Sequence, residues 1–428
     1  MGQIDQPSRS EGGSPEERPA TGSMLSPWVL LRSASMHPFL FSRMIREADP
    51  AARPGDVVNV YDKSGQFFGR GLFNSKSRIV VRMLAYGDAA IDEAFWRARI
   101  DQAVELRERL GLAEHTDAYR LVHAEGDGLS GLIVERYADC LVLELFSRGM
   151  FDRADMLARF LGDRLGSPSS LDRPDKTATQ WRVLVRADSS IEGIEGFRVR
   201  RASQPAFGQV TIREHGVRYR VDPTSGQKTG FFCDQRENRR RFAALCRGAS
   251  VLDACCYSGG FALCAKLLGG AAEVDAVDLD ESAVELAKEN AKLNQTRIHF
   301  VHADAFAYLR QMAAGGRRFD AVVLDPPKLA TSRDELEEAI HKYQDLNLLA
   351  MQVVRPGGVL VTCSCSGLVS RETFTEAVYR AARRGRRMLQ LFDVTGPGGD
   401  HPVMQNCPES GYLKVLWFRV YPTAGHTV

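Results

Sequence analysis

Three acidic side chains lie in or directly after short apolar segments of the second half of the chain: Asp253, Asp278 and Asp304. The segments alternate with helical stretches, which predicts an α/β fold with a doubly wound parallel sheet and right-handed crossovers. Ligands bind such sheets at the carboxyl ends of the strands, where an acid after the second strand holds ribose hydroxyls. We therefore expect Asp278 to bind a ribose and Asp304 to meet an adenine edge.

The turn after the first of these strands contains Gly259 and Gly260. Glycine lets the backbone approach a ligand closely at a tight strand-to-helix turn. The turn is not a G-x-G-x-x-G sequence and carries no Walker A lysine, so NAD and nucleoside triphosphates are disfavoured. Taken alone, the motif also fits an ordinary strand-to-helix turn.

A proline platform and two cysteines follow the next two predicted strands. Asp325 is followed by Pro326 and Pro327, which fix φ and lack donors, so their carbonyls can accept a bond from an exocyclic amino group. Cys363 and Cys365 share one face of the fifth strand because side chains alternate along it. Cys365 is nearer the carboxyl end, whereas Cys363 is expected to be buried with a raised pKa. This combination indicates nucleoside methylation from S-adenosylmethionine with a thiol available.

Composition limits what else the chain can be. It has 428 residues, of which 44% are hydrophobic and 26% charged, with a net charge of +2. This is the composition of a folded protein and not of a disordered one. The sequence contains no run of 18 uncharged apolar residues, so no membrane-spanning helix is expected. Its polar N-terminal segment does not resemble a signal peptide. Nine cysteines without a C-x-x-C pair predict neither a disulfide framework nor a zinc site, so we expect a reducing cytoplasm and no metal.

The chain is expected to fold as four parts. Residues 1–23 are predicted to be a disordered tail and 24–90 a small β-barrel. Residues 91–220 would form a linker helix and a central α+β domain, and 221–428 the parallel-sheet domain. Residues 24–84 hold nine Lys and Arg against four acids. That excess suits RNA, although a solvated surface in an arginine-rich protein is the alternative.

In the order of its motifs the chain resembles the RlmI-type family of bacterial 23S rRNA cytosine-5 methyltransferases. The resemblance covers roughly residues 27–422 and implies a PUA barrel, a central α+β domain and a Rossmann-like class I methyltransferase domain. Residue 363 departs from the pattern, since a second cysteine stands where a residue without a thiol is expected. The matching segments are 37–42, 119–121, 125–132, 214–217, 228–232, 234–236, 257–261, 325–328, 364–367 and 400–402.

The resemblance also implies a set of site residues. S-adenosylmethionine would be bound by residues of the strand ends and of the segment that precedes the sheet. Pro326, Pro327 and Lys328 would contact the substrate, 23S rRNA. Lys328 could contact a phosphate or lower the thiol pKa. The alternative interpretation is that Lys328 is an ordinary solvated lysine of a loop. The cofactor residues would be Asp253, Tyr257, Ser258, Gly259, Asp278, Leu279, Asp304, Ala305, Asp325, Lys228, Gln235 and Arg236.

The mechanism implied by the resemblance is covalent. Carbon 5 of cytosine is too weak a nucleophile to take a methyl group until a thiolate adds to carbon 6. Cys365 would be that nucleophile, and Asp325 would bond the base near ring nitrogen 3. His215 and His401 are interpreted as structural.

Two alternatives stay open on the sequence. One is a methyltransferase of guanine or of an amino nitrogen, which would need no thiol. The other is a non-catalytic RNA-binding assembly factor, against which the intact acids argue. No membrane partner is expected, and a homodimer is compatible with the sequence.

Overall fold

A computed structural model describes residues 24–168, 180–200, 208–224 and 230–423 of the chain. The predicted tail and Lys228 therefore lie outside the described residues. The chain divides into two compact units, the first ending at Ala90 and the second beginning at Ile91. Within the described ranges, no helix combines the length and the apolar character needed to cross a bilayer.

The first unit is a six-stranded sheet in the order β2-β6-β5-β4-β1-β3. The β1 and β4 strands pair in parallel, and the other neighbours are antiparallel. Alternating apolar side chains such as Val58 and Val60 are fully buried and build its core. The strands are β1 (Trp28–Leu31), β2 (Phe39–Phe41), β3 (Ile45–Ala48), β4 (Val57–Tyr61), β5 (Phe67–Phe73) and β6 (Ile79–Tyr86).

The positive charge of this unit is mostly on its surface. Arg82 is the exception: it is buried, and its guanidinium carbon lies 5.2 Å from the centre of the Phe39 ring. Arg70 is half-buried and pairs with Asp88 at 3.5 Å. The six exposed basic residues are Arg32, Arg43, Arg53, Lys63, Lys76 and Arg78.

The second unit begins with a mixed α and β region, as predicted for the centre of the chain. Its long first helix starts at Asp92, whose side chain accepts a bond from the Phe95 amide. A four-stranded sheet follows in the order β10-β9-β8-β7, and β11 pairs with β12 as a separate hairpin. The elements are α1 (Glu93–Arg109), α2 (Leu112–His115), β7 (Ala118–His123), β8 (Leu132–Tyr137), β9 (Cys140–Leu145), α3 (Arg148–Phe151), α4 (Ala154–Leu165), β10 (Arg182–Arg186), α5 (Ser189–Glu195), β11 (Val210–Glu214) and β12 (Val217–Val221).

The remainder of the second unit is a seven-stranded sheet in the order β15-β14-β13-β16-β17-β19-β18. The five strands β13 to β17 are parallel, which confirms the predicted α/β sheet. The elements are α6 (Arg236–Ala243), β13 (Ser250–Ala254), α7 (Gly260–Leu267), β14 (Glu273–Asp278), α8 (Glu281–Leu293), β15 (His299–His302), α9 (Ala305–Ala314), β16 (Phe319–Leu324), α10 (Leu336–Val353), β17 (Val354–Ser364), α11 (Arg371–Arg384), β18 (Arg387–Thr395) and β19 (Lys414–Pro422).

The sheet ends in two antiparallel strands. The β19 strand runs antiparallel to β17, and β18 runs antiparallel to β19 at the edge. The sequence does not predict β18, because this edge strand leaves Met388 and Phe392 exposed and lacks a clear apolar alternation.

The central region and the parallel-sheet region share a core. Tyr219 of β12 is fully buried, and its hydroxyl lies 3.3 Å from the Cys264 sulfur in α7. Both belong to one apolar cluster with side chains of β8 and β9. Over their described part, residues 91–423 pack as one compact unit. The boundary at residue 220 between a central domain and a parallel-sheet domain therefore stays a prediction.

A buried carboxylate ties this unit together. Asp400 is fully buried and accepts bonds from Arg236 Nη2 at 2.8 Å and from the Arg120 amide at 2.9 Å. Burial alone would raise the pKa of Asp400, but His401 and Arg236 outweigh it and hold the pKa well below its ordinary value. His401 is buried with its Nδ1 3.1 Å from Asp400 Oδ1, and its structural role stays a prediction.

Replacing Asp400 by asparagine should destabilise the fold, because the buried guanidinium of Arg236 would keep only the half-exposed Glu237 as an ion-pair partner. Breaking a buried pair in this way costs about 3–5 kcal/mol. Urea unfolding followed by tryptophan fluorescence measures the change. Since the native pKa lies below the unfolded one, the stabilisation is present above about pH 4 and is lost on further acidification.

The control is Arg380→Met, which removes the exposed pair between Arg380 and Glu376 on α11. Its effect should stay below about 0.5 kcal/mol. An Asp400→Asn variant no less stable than this control would contradict the assigned role.

Candidate active site

Three neighbouring parallel strands bring the predicted residues to one edge of the sheet. Ala254 of β13 stands opposite Leu324 of β16, which stands opposite Thr362 of β17. The chain continues from these positions into the glycine turn, the proline platform and the cysteine segment. The Asp325 amide donates to the Ala254 carbonyl at 3.1 Å and extends the pairing by one residue. Asp325 and Cys365 are therefore brought to the same edge.

The turn after β13 is wound tightly. Cys255, Tyr257 and Gly259 all have positive φ, of 65°, 47° and 82°, and for residues other than glycine this conformation costs about 1–3 kcal/mol. A Cβ on Gly259 would lie 3.3 Å from the Phe300 ring, so both conformation and packing favour glycine. Strained backbone of this kind is found mainly at functional sites.

Asp278 holds that turn against the second strand. Its Oδ2 accepts the Tyr257 amide at 2.8 Å, and its Oδ1 accepts the Asp280 amide at 2.9 Å. The carboxylate is half-buried at the end of β14, and the next side chain, Leu279, is 66% exposed. The carboxylate of Asp278 can accept hydrogen bonds from hydroxyl groups. The exposed side chain of Leu279 beside it can lie against a flat base.

The third predicted acid has a local structural task. Asp304 precedes α9, and its Oδ1 accepts the Ala307 amide at 2.9 Å as an N-cap. The residue is exposed, whereas Ala305 is buried. The contact with adenine predicted for both stays a prediction.

Asp253 is the most deeply buried acid of this edge. Its Oδ2 accepts the Ala262 amide at 2.9 Å, and its Oδ1 has no hydrogen-bond partner among the described residues. Burial raises the pKa of Asp253 to about 8, and the nearby carboxylates of Asp325 and Asp278 add to the rise. A cation bound here would favour the ionised form.

The two cysteines have different surroundings. Cys363 is fully buried, as expected from its place inside β17, and burial raises its pKa well above the ordinary value. Cys365 lies just beyond the strand and is partly exposed. It packs against the apolar cluster that contains Cys363. Its sulfur is 4.0 Å from the Pro326 carbonyl oxygen. The accessible thiol is thus the one beside the proline platform.

The platform is fastened to the end of β17. Ser366 Oγ accepts the amides of Leu329 at 3.1 Å and Ala330 at 3.3 Å, and lies 3.1 Å from the Tyr343 hydroxyl. Within the platform, Pro326 is buried, and Pro327 and Lys328 are exposed. These contacts hold the loop close to Cys365 and leave two of its residues open to solvent.

A chain of hydrogen bonds orients Asp325. Gln235 Nε2 donates to Asp325 Oδ2 at 3.0 Å, and Asn238 Nδ2 donates to Gln235 Oε1 at 2.7 Å. Thr395 Oγ1 donates to Asn238 Oδ1 at 2.7 Å and accepts Trp417 Nε1 at 2.8 Å. Asn238 Nδ2 also donates to the Gly396 carbonyl at 3.0 Å, which leaves its Oδ1 to accept from Thr395. The NH2 group of Gln235 therefore faces Asp325.

Sequence reasoning missed most of that chain. Gln235 was expected at the cofactor, whereas its side chain bonds Asp325 and Asn238 and also interacts with Cys363. The spacing of Gln235 and Asn238, one helical turn apart, was the available signal. Arg236 is 1% exposed, with its guanidinium bonded to Asp400 and Glu237, so its direct contact with a cofactor stays a prediction.

Sequence reasoning also missed a buried lysine. Lys414 is 5% exposed, and its Nζ donates to the carbonyls of Ser366 at 2.6 Å and Tyr412 at 2.8 Å. Burial lowers its pKa to about 8. The signal was a single charge in the otherwise apolar segment 412–418.

Comparisons with known proteins agree with this geometry. The family model for S-adenosylmethionine-dependent methyltransferases matches residues 130–397, and that for a PUA-like domain matches residues 32–86. A protein from Streptococcus mutans described as a SAM-dependent methyltransferase has a TM-score of 0.74 at 19% identity, covering 91% of this chain and 100% of its own. A methyltransferase solved with SAH has the same TM-score and covers 90% and 96%. At this identity both show the fold alone.

Sequence relatives are closer. Ribosomal RNA large subunit methyltransferase I of Aliivibrio fischeri strain MJ11 is 37% identical over 90% of this chain and 95% of its own. The protein of that name from Shewanella denitrificans is 36% identical over 90% and 96%. The chain therefore belongs to the family of S-adenosylmethionine-dependent methyltransferases that includes ribosomal RNA large subunit methyltransferase I.

Proposed function

We propose that this protein methylates carbon 5 of a cytosine in 23S rRNA through a covalent adduct with Cys365, in a reducing cytoplasm. The observation that carries the proposal is the partly exposed Cys365 thiol, 4.0 Å from the Pro326 carbonyl at the strand edge that also bears Asp325. The relatives named as rRNA large subunit methyltransferases support the substrate.

S-adenosylmethionine, when bound, supplies an electrophilic methyl group on a cationic sulfur. The chain has groups that fit it: Asp253 offers a buried oxygen without a partner among the described residues. A neighbouring positive charge would ionise that carboxyl. Asp278 would hold the ribose hydroxyls and Leu279 would lie against the adenine, with Asp304 and Ala305 at its edge and the turn of Tyr257, Ser258 and Gly259 along the methionine end.

The cytosine is activated by the chain's own residues. The Cys365 thiolate forms a bond to carbon 6, which makes carbon 5 an enamine-like nucleophile that takes the methyl group. A base then removes the proton of carbon 5, the sulfur–carbon bond breaks, and the thiolate is regenerated. Asp325, held by Gln235, bonds the base near ring nitrogen 3, while the carbonyls of Pro326 and Pro327 accept from its amino group.

The competing functions make no use of this thiol. A methyltransferase of guanine or of an amino nitrogen needs no covalent adduct, so loss of Cys365 would spare it. A non-catalytic assembly factor would not need an acid-lined cofactor site. Identification of the nucleoside methylated in rRNA, by mass spectrometry with labelled S-adenosylmethionine, separates all three functions.

We expect Cys365, and not Cys363, to form the adduct. RNA with 5-fluorocytosine at the target should trap it, because fluorine cannot leave as a proton. The Cys363→Ser variant should still accumulate the protein–RNA adduct on a denaturing gel, whereas Cys365→Ser should give none and lose methylation. Trapping by Cys365→Ser alone would overturn the assignment.

Asp278→Ala should weaken S-adenosylmethionine binding by about 1–3 kcal/mol, the cost of losing charge-assisted hydrogen bonds. Isothermal titration calorimetry measures the affinity. The control is Asp345→Ala, since Asp345 is an exposed residue of α10 that pairs with Arg384 of α11. This variant should bind S-adenosylmethionine as tightly as the wild type. Equal affinity of the Asp278→Ala variant and the control would refute the ribose assignment.

The first unit should position RNA through its phosphates. Reversing the charge of Arg43, Lys63 and Arg78 together should weaken rRNA binding and flatten its salt dependence, by about one unit of slope for each lost phosphate contact. Filter binding at several salt concentrations measures both. Reversal of Lys288 and Lys292, exposed on α8, is the control. A salt slope that is the same in the triple variant and the wild type would assign this unit another role.

A further inference from the structure

The buried lysine Lys414 lies against the backbone on either side of the proposed nucleophile, Cys365. Lys414 begins β19, where it pairs with Ser364 of β17, the residue before Cys365. Its Nζ reaches over to the Ser366 carbonyl, the residue after Cys365, at 2.6 Å. The ammonium group is therefore held against the backbone segment that carries the thiol.

Two carbonyls do not by themselves account for a buried charge. Removing an ammonium group from water is costly unless the charge is paired. In the described part of the chain, the recorded partners of Lys414 are the carbonyls of Ser366 and Tyr412 and, electrostatically, the Cys365 thiol. The thiol favours the charged form of the lysine and opposes the effect of burial, so the pKa of about 8 leaves the group mainly protonated at neutral pH.

Among the described residues, three further titratable groups near the thiol are not cations: Tyr343, Cys363 and Asp325. Tyr343 of α10 interacts with the thiol, and burial raises the pKa of that phenol to about 12. Cys363 faces it from the same strand, and burial keeps this second thiol protonated. Asp325 lies at the adjacent strand end and would oppose ionisation of Cys365 when it is itself ionised. Among these groups Lys414 is the cation.

Lys328, for which the sequence left open this task, a phosphate contact or a solvated loop position, is exposed. Water screens a solvated charge, whereas a charge in a poorly hydrated interior acts with several times the strength at the same distance. The buried lysine is thus better placed to act on the thiol.

We propose that Lys414 is a positioning residue whose ammonium group stabilises the Cys365 thiolate, so that the thiol gives up its proton to solvent at neutral pH before RNA binds. The inference rests on the proposed function, in which that thiolate attacks carbon 6. In this proposal Lys414 acts through Cys365 and not by direct contact with substrate or cofactor.

Alkylation of the folded full-length protein tests the ionisation directly. The rate at which iodoacetamide modifies Cys365, followed by peptide mass spectrometry from pH 6 to pH 10, reports the thiolate fraction. In Lys414→Met the midpoint of this profile should rise by about one unit, so that the rate at pH 7 falls several-fold. At pH 10 the variant and the wild type should converge, because both thiols are then ionised.

Lys266 offers a matched control. It is half-buried, and its Nζ also donates to two carbonyls, those of Ala271 and Ala272, but it lies at the end of α7 and not beside a site cysteine. The Lys266→Met profile should equal that of the wild type. A Lys414→Met profile that also equals it would overturn the proposal.

A second measurement leaves Lys414 in place, in case Lys414→Met does not fold. In protein carrying ¹⁵N-labelled lysine, Cys365→Ser should move the NMR titration of the Lys414 Nζ to lower pH, because the thiolate no longer favours the ammonium form. An unchanged midpoint would refute the interaction. Methylation by Cys365→Ser tests the proposed function separately, so a failure of either idea is recognised on its own.

Discussion

The parallel pairing of β13, β16 and β17 is the constraint on which the site depends. Backbone hydrogen bonds fix the register of these strands, so the residues that follow them emerge at one edge. The Asp325 amide bonded to the Ala254 carbonyl carries this register one step past the strand. Asp325, the proline platform and the Cys365 thiol lie together because of that pairing.

Burial then gives chemically identical groups different tasks. Cys363 and Cys365 are two residues apart, yet one thiol is enclosed and the other borders the platform. Asp253 is enclosed with a raised pKa, whereas Asp278 is half-buried and bonds two backbone amides. Desolvation disfavours a charge and strengthens every interaction that the charge keeps. The edge therefore combines an enclosed carboxyl of raised pKa with a more exposed acid that holds the turn after β13.

Helix α6 connects this edge to the rest of the second unit. Arg236 pairs with the buried Asp400, and Arg239 pairs with the buried Glu214 at 2.7 Å. Asn238 donates to the Gly396 carbonyl at 3.0 Å and to Gln235, which holds Asp325. The central region thus supports the active edge through the buried pair of Glu214 and Arg239, although it carries no recognised catalytic motif. A side chain fixed from several directions loses little freedom when a substrate arrives.

The sequence by itself determined the parallel sheet, the acids and thiol at its strand ends, and the family, because strand alternation and turn residues are local signals. Tertiary structure decided which partners those residues have. Asn238 bonds Thr395 across 157 positions, and Arg120 bonds Asp400 across 280. It also decided that Lys414 is buried behind Cys365 and that Arg236 is bonded to Asp400. No local pattern encodes such contacts, since they arise only when packing brings distant segments together and removes water from between them.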